Sequence, residues 1–179
     1  RYVILAKELG RMTIMKKEQR ITTVLLTIYL IILTWIILLK MQVTTEMLPS
    51  IRNINLIPYG QSVIVNGRID FTEIINNAIA FIPVGVYVAM LKPEWSFIKK
   101  VLPSVGISLI YEVLQYVFAI GATDITDVIN NTIGGIVGVC IAALCFTMFK
   151  EKAYKVLHTL AIIGTVLVCG LIMALIVAN

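Results

Sequence analysis

Long apolar runs alternate with short polar connections along this chain. The runs cover residues 21–39, 74–91, 101–120, 128–149 and 156–177. Each is close to the ~20 residues that an α-helix needs to cross the hydrocarbon core of a bilayer. A backbone in lipid must satisfy its own hydrogen bonds, and the sequence lacks the two-residue alternation of a membrane β-barrel. The pattern therefore predicts an all-α fold, a polytopic membrane helix bundle with about five transmembrane helices.

The same pattern predicts how the chain is organised. Residues 1–20 form a basic N-terminal segment, residues 21–149 form the main membrane domain with an outer loop at residues 40–73, and residues 150–179 form an inner basic loop and the fifth span. The first run resembles a signal peptide in its basic flank, but it is long and no small-residue cleavage site follows it. We therefore expect an uncleaved span.

Charge sets the expected orientation. The chain is 59% hydrophobic and only 14% charged, and most of its 15 Lys and Arg residues lie within residues 1–20, 92–100 and 150–155. With five spans these regions share one side of the membrane, which predicts a cytoplasmic N-terminus and an outer C-terminus. The net charge of +5 then reflects topology and contact with anionic lipid. We expect membrane lipid as a partner, and no nucleic acid.

One polar phrase occurs twice, as "DFTEIINNAI" at residues 70–79 and as "DITDVINNTI" at residues 124–133. Each copy begins an apolar run, and both runs cross the membrane in the same direction. This predicts a parallel repeat of two hairpins about an axis along the membrane normal. The Asp or Thr residues at each start, Asp70 and Thr72 or Asp124 and Thr126, are typical helix N-caps.

Each copy also carries an acid and an amide one turn further on. Glu73 with Asn77, and Asp127 with Asn131, are spaced to lie on one helix face. At this depth such side chains should face protein or a wet cavity, not lipid.

Small residues follow the polar ones. Gly134 and Gly138 continue the face of Asn131, and such a stripe lets a second helix approach closely. In the first copy the corresponding depth holds Pro83 and Gly85, and a proline inside a span usually bends the helix.

A single carboxylate, Glu112, lies within the third run, with Gln115 and Tyr116 at the next turn of its face. Left charged in hydrocarbon it would cost several kcal/mol, so it must be paired, protonated or solvated. Two interpretations stay open. Glu112 either locks helices together through Asn131, Asn77 or Arg68, or belongs to a binding site.

These residues fall in the segment "YEVLQYVFAIGATDITDVINNTIGGIVG", which resembles the VanZ-like membrane protein family, as do "NLIPY" and "NNAIAFIPVG" upstream. The resemblance implies a part in resistance to teicoplanin and related lipoglycopeptides, which act at lipid-linked cell-wall precursors on the outer leaflet. Residue by residue it covers Glu112, Gln115, Asp124, Asp127, Asn131 and Gly134, then Asn55 and Pro58, and finally Asn77, Phe81, Pro83 and Gly85. Many members have an arginine where this chain has Gly121, so Arg68 or a cationic partner is expected to supply the missing positive charge.

The leading functional prediction is a cell-membrane protein whose outer-leaflet polar pocket binds an amphiphile, a lipoglycopeptide or a cell-wall precursor head group. Its expected ligand-binding residues are Glu112, Gln115, Asp124, Asp127, Asn131, Asn77 and Arg68, and its structural residues are Pro83, Gly85, Gly134 and Gly138. The alternative is a small lipid or solute transporter or flippase that acts as a homodimer.

An enzyme is the third class, since Glu112 and Asp127 suit acid–base work. No serine or cysteine nucleophile, histidine base or phosphate loop stands near them, so no catalytic residue, metal or cofactor is expected. Cys140, Cys145 and Cys169 lie in predicted spans as apolar fillers, and His158 is expected as a side chain at the membrane interface.

Overall fold

The computed structural model describes residues 2–38, 51–60, 64–65, 68–69 and 71–178. Its helices are α1 (Tyr2–Leu38), α2 (Thr72–Leu91), α3 (Phe97–Phe118), α4 (Ile125–Phe149) and α5 (Ala153–Ala178), with a 3₁₀ turn at Lys150–Lys152. Its strands are short: β1 (Ile51–Asn55), β2 (Ile64–Val65), β3 (Arg68–Ile69) and β4 (Ile120–Asp124). The predicted all-α class is confirmed.

Four helical stretches among the described residues are long and apolar enough to cross a membrane. They are Ile14–Leu38, Ile74–Leu91, Phe97–Phe118 and Ile125–Gly170, and the last spans α4 and most of α5. The chain is therefore a membrane protein. The crossing number of five and the orientation of the termini stay predictions.

Neighbouring helices run in alternating directions. The side chain of Thr34 near the end of α1 meets Tyr111 of α3 at 2.9 Å, and Gln115 Nε2 donates to the Ile37 carbonyl at 3.3 Å. At the same end, Asn77 in the second turn of α2 bonds Asp127 at the start of α4. The ends of α1 and α3 and the starts of α2 and α4 thus come together at what we call the polar end of the bundle.

The core lies around α2. On the side of α1 and α3 it contains Leu33, Phe81, Val84 and Tyr111, with Phe81 and Tyr111 packed edge to face. On the side of α5, a second cluster contains Leu25, Tyr87, Met90 and Leu157. Both α1 and α2 contribute to the two clusters, and α2 also lies closely against α4, so α2 is the central helix of the described bundle.

A parallel strand pair, β1 with β4, ties the predicted outer loop to the α3–α4 connection. The register sets Asn55 opposite Asp124 and Arg52 opposite Gly121. The sequence did not predict this pair, since neither segment alternates and the pairing joins distant parts of the chain. Asp70 lies outside the described residues, as do the side chains of Arg68 and Glu73.

Candidate functional site

The start of α4 is the most heavily bonded part of the polar end. Asp124 caps the helix, with Oδ1 accepting from the backbone N–H of Thr126 at 2.7 Å. Its other oxygen, Oδ2, accepts from Asn55 Nδ2 at 3.0 Å. The predicted cap is confirmed, and the same carboxylate also fastens the end of β1 to α4.

The start of α2 is built differently. Its N-cap position is Phe71, which makes no side-chain cap hydrogen bond, and Thr72 is already the first helical residue. Thr72 is therefore not the N-cap residue, and the predicted cap Asp70 lies outside the described residues. Capping depends on the chain just before the helix, and there the two copies differ.

Glu112 is buried beneath this start, with 4% of its surface exposed. Its Oε2 accepts from the backbone N–H of Asp124 at 2.8 Å, while its carbonyl accepts from Thr123 Oγ1 at 3.1 Å. The buried carboxylate gives the backbone N–H of Asp124 a hydrogen-bond partner where solvent does not supply one. Glu112 thus closes the connection from α3 through β4 to α4.

Asn77 and Asp127 join α2 to α4. Asn77 Nδ2 donates to Asp127 Oδ1 at 2.7 Å, and both residues are half-buried. The partners predicted to lie on equivalent helix faces therefore meet directly across the helix pair.

Three buried amides at this end each keep one polar atom without a hydrogen-bond partner: Gln115 Oε1, Asn130 Nδ2 and Asn131 Oδ1. The opposite atom of each is used, since Asn131 Nδ2 donates to Ser108 Oγ at 2.8 Å and Asn130 Oδ1 accepts from the Tyr59 hydroxyl at 3.2 Å. Buried polar atoms nearly always find a partner in the protein or in bound water or ligand. The three unpaired atoms are polar groups that a bound water or a polar group of a ligand would satisfy.

Glycines let α2 and α4 touch backbone to backbone. A Cβ at Gly134 would overlap the carbonyl oxygen of Ala78, and one at Gly138 would overlap that of Ile82. From the other side, a Cβ at Gly85 would overlap the carbonyl oxygen of Gly135. This close parallel contact fixes the spacing of Asn77 and Asp127.

The sequence-predicted site residues differ in burial. Glu112, Gln115 and Asn131 are at most 6% exposed, whereas Asn77, Asp124 and Asp127 are half-buried. Arg68 lies in β3, with its side chain outside the described residues.

Sequence reasoning missed several residues that the fold brings to this site. Ser108 and Asn130 supply buried partners, and Tyr59, with φ of 59°, donates its backbone N–H to Thr126 Oγ1 at 2.9 Å. The "NLIPY" segment did point to Asn55. Its partner Asp124 could not be predicted, because the two residues are far apart in the sequence.

A second polar cluster lies between α1 and α5, away from the polar end. His158 is buried, with Nε2 at 2.8 Å from Thr22 Oγ1 and Nδ1 at 3.1 Å from Glu18 Oε2. Both partners come from α1, far away in sequence, and spacing did not indicate them; the position of His158 at the membrane interface stays a prediction. Among the described residues, no group of three His, Cys, Asp or Glu side chains is placed to hold a metal.

These features define a helical membrane protein whose polar residues gather where α2, α3 and α4 meet. The chain belongs to the VanZ/LLP1 family, whose model matches residues 26–146. It is 37% identical to Protein VanZ of Enterococcus faecium over 130 residues, which make up 72% of this chain and 77% of that protein. No solved structure matches. The matched range ends within α4, so α5 lies beyond it.

Proposed function

We propose that this protein lowers susceptibility to teicoplanin and related lipoglycopeptides by binding an amphiphile or a cell-wall precursor head group at its polar end. The observation that carries the proposal is the set of unpaired atoms on Gln115, Asn130 and Asn131, buried beside the carboxylates of the polar end. Two are acceptors and one is a donor, so together they suit a ligand rich in hydroxyl and amide groups.

The carboxylates hold this surface in place. Glu112 and Asp124 bond backbone and amide groups of the chain, and Asp127 bonds Asn77. Because side chains locked by their neighbours lose little freedom on binding, a preorganised polar site gains affinity. Glu112 and Asp124 therefore position the site and add their negative charge to it, and the direct ligand contacts fall to the amides and to Asp127.

The expected membrane orientation supports the outer leaflet as the place of binding. The polar end contains the starts of α2 and α4, and the Lys and Arg distribution predicts that these starts face outward. Lipid-linked cell-wall precursors and the drugs that recognise them meet on that leaflet.

Drug susceptibility of a deletion strain complemented with variants tests the proposal. Glu112→Gln and Asp127→Asn each remove one negative charge with little change of shape, and we expect both to lower the inhibitory concentration of teicoplanin towards that of the empty vector. Glu94→Gln is the matched control. It makes the same chemical change, but at an exposed position in the α2–α3 connection, at the end of the bundle opposite the polar end. Full protection by both site variants, at equal membrane abundance, would remove this site from the mechanism.

Binding to purified protein distinguishes the two ligand sources. Protein in lipid nanodiscs is titrated with teicoplanin, with its deacylated core and with a lipid-linked precursor, and bound mass is recorded by native mass spectrometry. Binding of the precursor alone assigns the site to a head group, and binding of acylated drug alone assigns it to the antibiotic. Absence of binding to all three contradicts the proposal.

The alternative function, lipid or solute transport by a dimer, is favoured by the parallel contact of α2 with α4. Two equivalent helices in the same direction are typical of transporters built from parallel repeats. Lipid or solute movement is measured in proteoliposomes, with and without a proton gradient. Transport requires more movement than in protein-free vesicles.

A further inference from the structure

The buried face of α3 is polar, and its exposed face is apolar. Ser104, Ser108 and Glu112 follow one another at every fourth residue, so they lie on one side of the helix, and each is at most 4% exposed. The exposed side carries large apolar residues such as Leu109 and Val113. These three buried polar residues form what we call the polar row of α3.

The polar row lies against α4. Ser108 Oγ accepts from Asn131 Nδ2 at 2.8 Å. One turn further from the polar end, a Cβ added to Gly135 would overlap Ser104 Oγ. The Ser104 hydroxyl therefore occupies the space between the two helices that the absent side chain of Gly135 leaves open.

Ser104 Oγ is fully buried and has no hydrogen-bond partner among the described residues. Hydroxyl groups inside helices often bond the carbonyl four residues earlier, as those of Thr132 and Thr147 do in α4. Ser104 makes no such bond and points towards α4 instead. Asn131 Oδ1, one turn away beside Ser108, also lacks a partner there. Buried atoms of this kind are the usual partners of bound water.

The polar row continues to a cavity at the end of the bundle opposite the polar end. Lys100 lies four residues before Ser104, and its Nζ donates to the Pro93 carbonyl at 3.0 Å. Together with Val139 and other residues of α2, α3 and α4, Lys100 lines a cavity of about 320 Å³. At 1.5 Å per residue, Lys100 and Glu112 are about 18 Å apart along α3. The row thus leads from this cavity to the polar end.

We propose that the polar row is a proton path that connects the Lys100 cavity with Glu112. Its successive side chains are about 6 Å apart along the helix, and one water between them spans that gap with two hydrogen bonds of about 3 Å. A serine hydroxyl both accepts and donates, so each proton that it takes from one neighbour is matched by one that it releases to the next. One proton enters the row and one leaves it. Glu112 accepts the proton at the polar end, beside the half-buried Asp124.

A metal ion suits the row less well than a proton. Hard cations need about six oxygen ligands around one point, whereas these polar groups are spread along a line. Helix packing alone does not explain Ser104 either, because alanine would allow the same close approach without burying an unpaired hydroxyl. Carboxylates inside membrane bundles commonly belong to proton relays, and the row supplies one to Glu112. Ser104 lies outside the proposed ligand site, so the inference does not rest on the proposed function.

Proton movement into vesicles tests the inference. The full chain is reconstituted in phosphatidylcholine vesicles that contain the pH dye pyranine, and valinomycin with a potassium gradient sets a potential that draws protons inward. No drug or cell-wall precursor is present, so failure here is distinct from failure of the proposed function. We expect faster acidification than in protein-free vesicles. Ser104→Ala should slow the protein-dependent rate about tenfold, since one relay group leaves the path.

Two further variants keep the test decisive. Thr147→Ala is the matched control, because it removes an exposed hydroxyl from α4 and should leave the rate unchanged. Glu112→Gln removes the proton acceptor and should slow acidification as Ser104→Ala does. Ser104→Ala should fold at least as stably as the parent chain, since the hydroxyl it removes has no partner among the described residues. Equal acidification with and without protein would overturn the inference. So would a normal rate in either path variant at equal protein content, because that result leaves Ser104 with a fixed water at most.

Discussion

Asn77 donates its side-chain N–H to Asp127 at 2.7 Å and thereby joins two positions of the repeat that are not equivalent. In the aligned copies Asn77 corresponds to Asn131, and Asp127 corresponds to Glu73. The amide of the first copy therefore meets the acid of the second. Two parallel helices with the same polar pattern can pair in this complementary way because each offers both a donor and an acceptor.

The Asn77–Asp127 bond predicts energetic coupling between α2 and α4. Asn77→Leu should lower the free energy of unfolding by about 1–2 kcal/mol, the range for a hydrogen bond to a charged or buried partner. The same change made on top of Asp127→Leu should have a much smaller effect. Reversible unfolding in bicelles measures both, and strictly additive effects would show that the two side chains do not interact.

The glycine contacts predict opposite outcomes at two kinds of site. Gly134→Ala and Gly138→Ala should each destabilise the protein by about 1–3 kcal/mol, because the added methyl group meets a backbone carbonyl of α2. Gly106→Ala is the control: it lies inside α3 in open space and should stabilise by about 0.5–1 kcal/mol. Thermal unfolding in detergent ranks the three, and equal effects at Gly106 and Gly134 would contradict the close helix contact.

Because Glu112 is a buried acceptor, we expect the protein's stability to depend on its hydrogen bond more than on its charge. Glu112→Leu leaves the backbone N–H of Asp124 unpaired and should cost about 1–3 kcal/mol. Glu112→Gln retains an acceptor oxygen and should cost less than about 1 kcal/mol. Unfolding free energy and hydrogen exchange of the Asp124 amide provide the measurement. Faster exchange is expected in the Leu variant alone, and equal exchange in both would refute this role.

The second cluster predicts that His158 attaches α5 to α1. His158→Leu removes the partners of the Thr22 hydroxyl and the Glu18 carboxylate and should destabilise the protein by about 1–3 kcal/mol. Thr159→Val is the neighbouring control, since its hydroxyl is exposed and bonds only the Lys155 carbonyl of its own helix in the described contacts. That change should stay within about 0.5 kcal/mol. Equal stability of the two variants in detergent would show that the contacts of His158 do not hold α5 against α1.

Local patterns correctly predicted the Asp124 cap and the close helix contact at the glycines. The cap by Asp124 needs only the next two residues. The spacing of Gly134 and Gly138 likewise indicates a face that another helix can approach. Contacts between distant segments were missed, such as Asn55 with Asp124 and His158 with Glu18. Their spacing in the chain carries no information about which residues the fold brings together.

The sequence alone determined that this protein is a membrane helix bundle, because long apolar runs in lipid can satisfy their backbone only as helices. It also showed which residues are costly to place in lipid, notably Glu112 and Asp127. These side chains must therefore find partners within the protein. Only the tertiary structure decided their partners: Glu112 takes a backbone N–H of Asp124, and Asp127 takes Asn77. The reason is physical, since burial cost belongs to one side chain and its surroundings, whereas a hydrogen bond needs two atoms within about 3 Å that only packing can bring together.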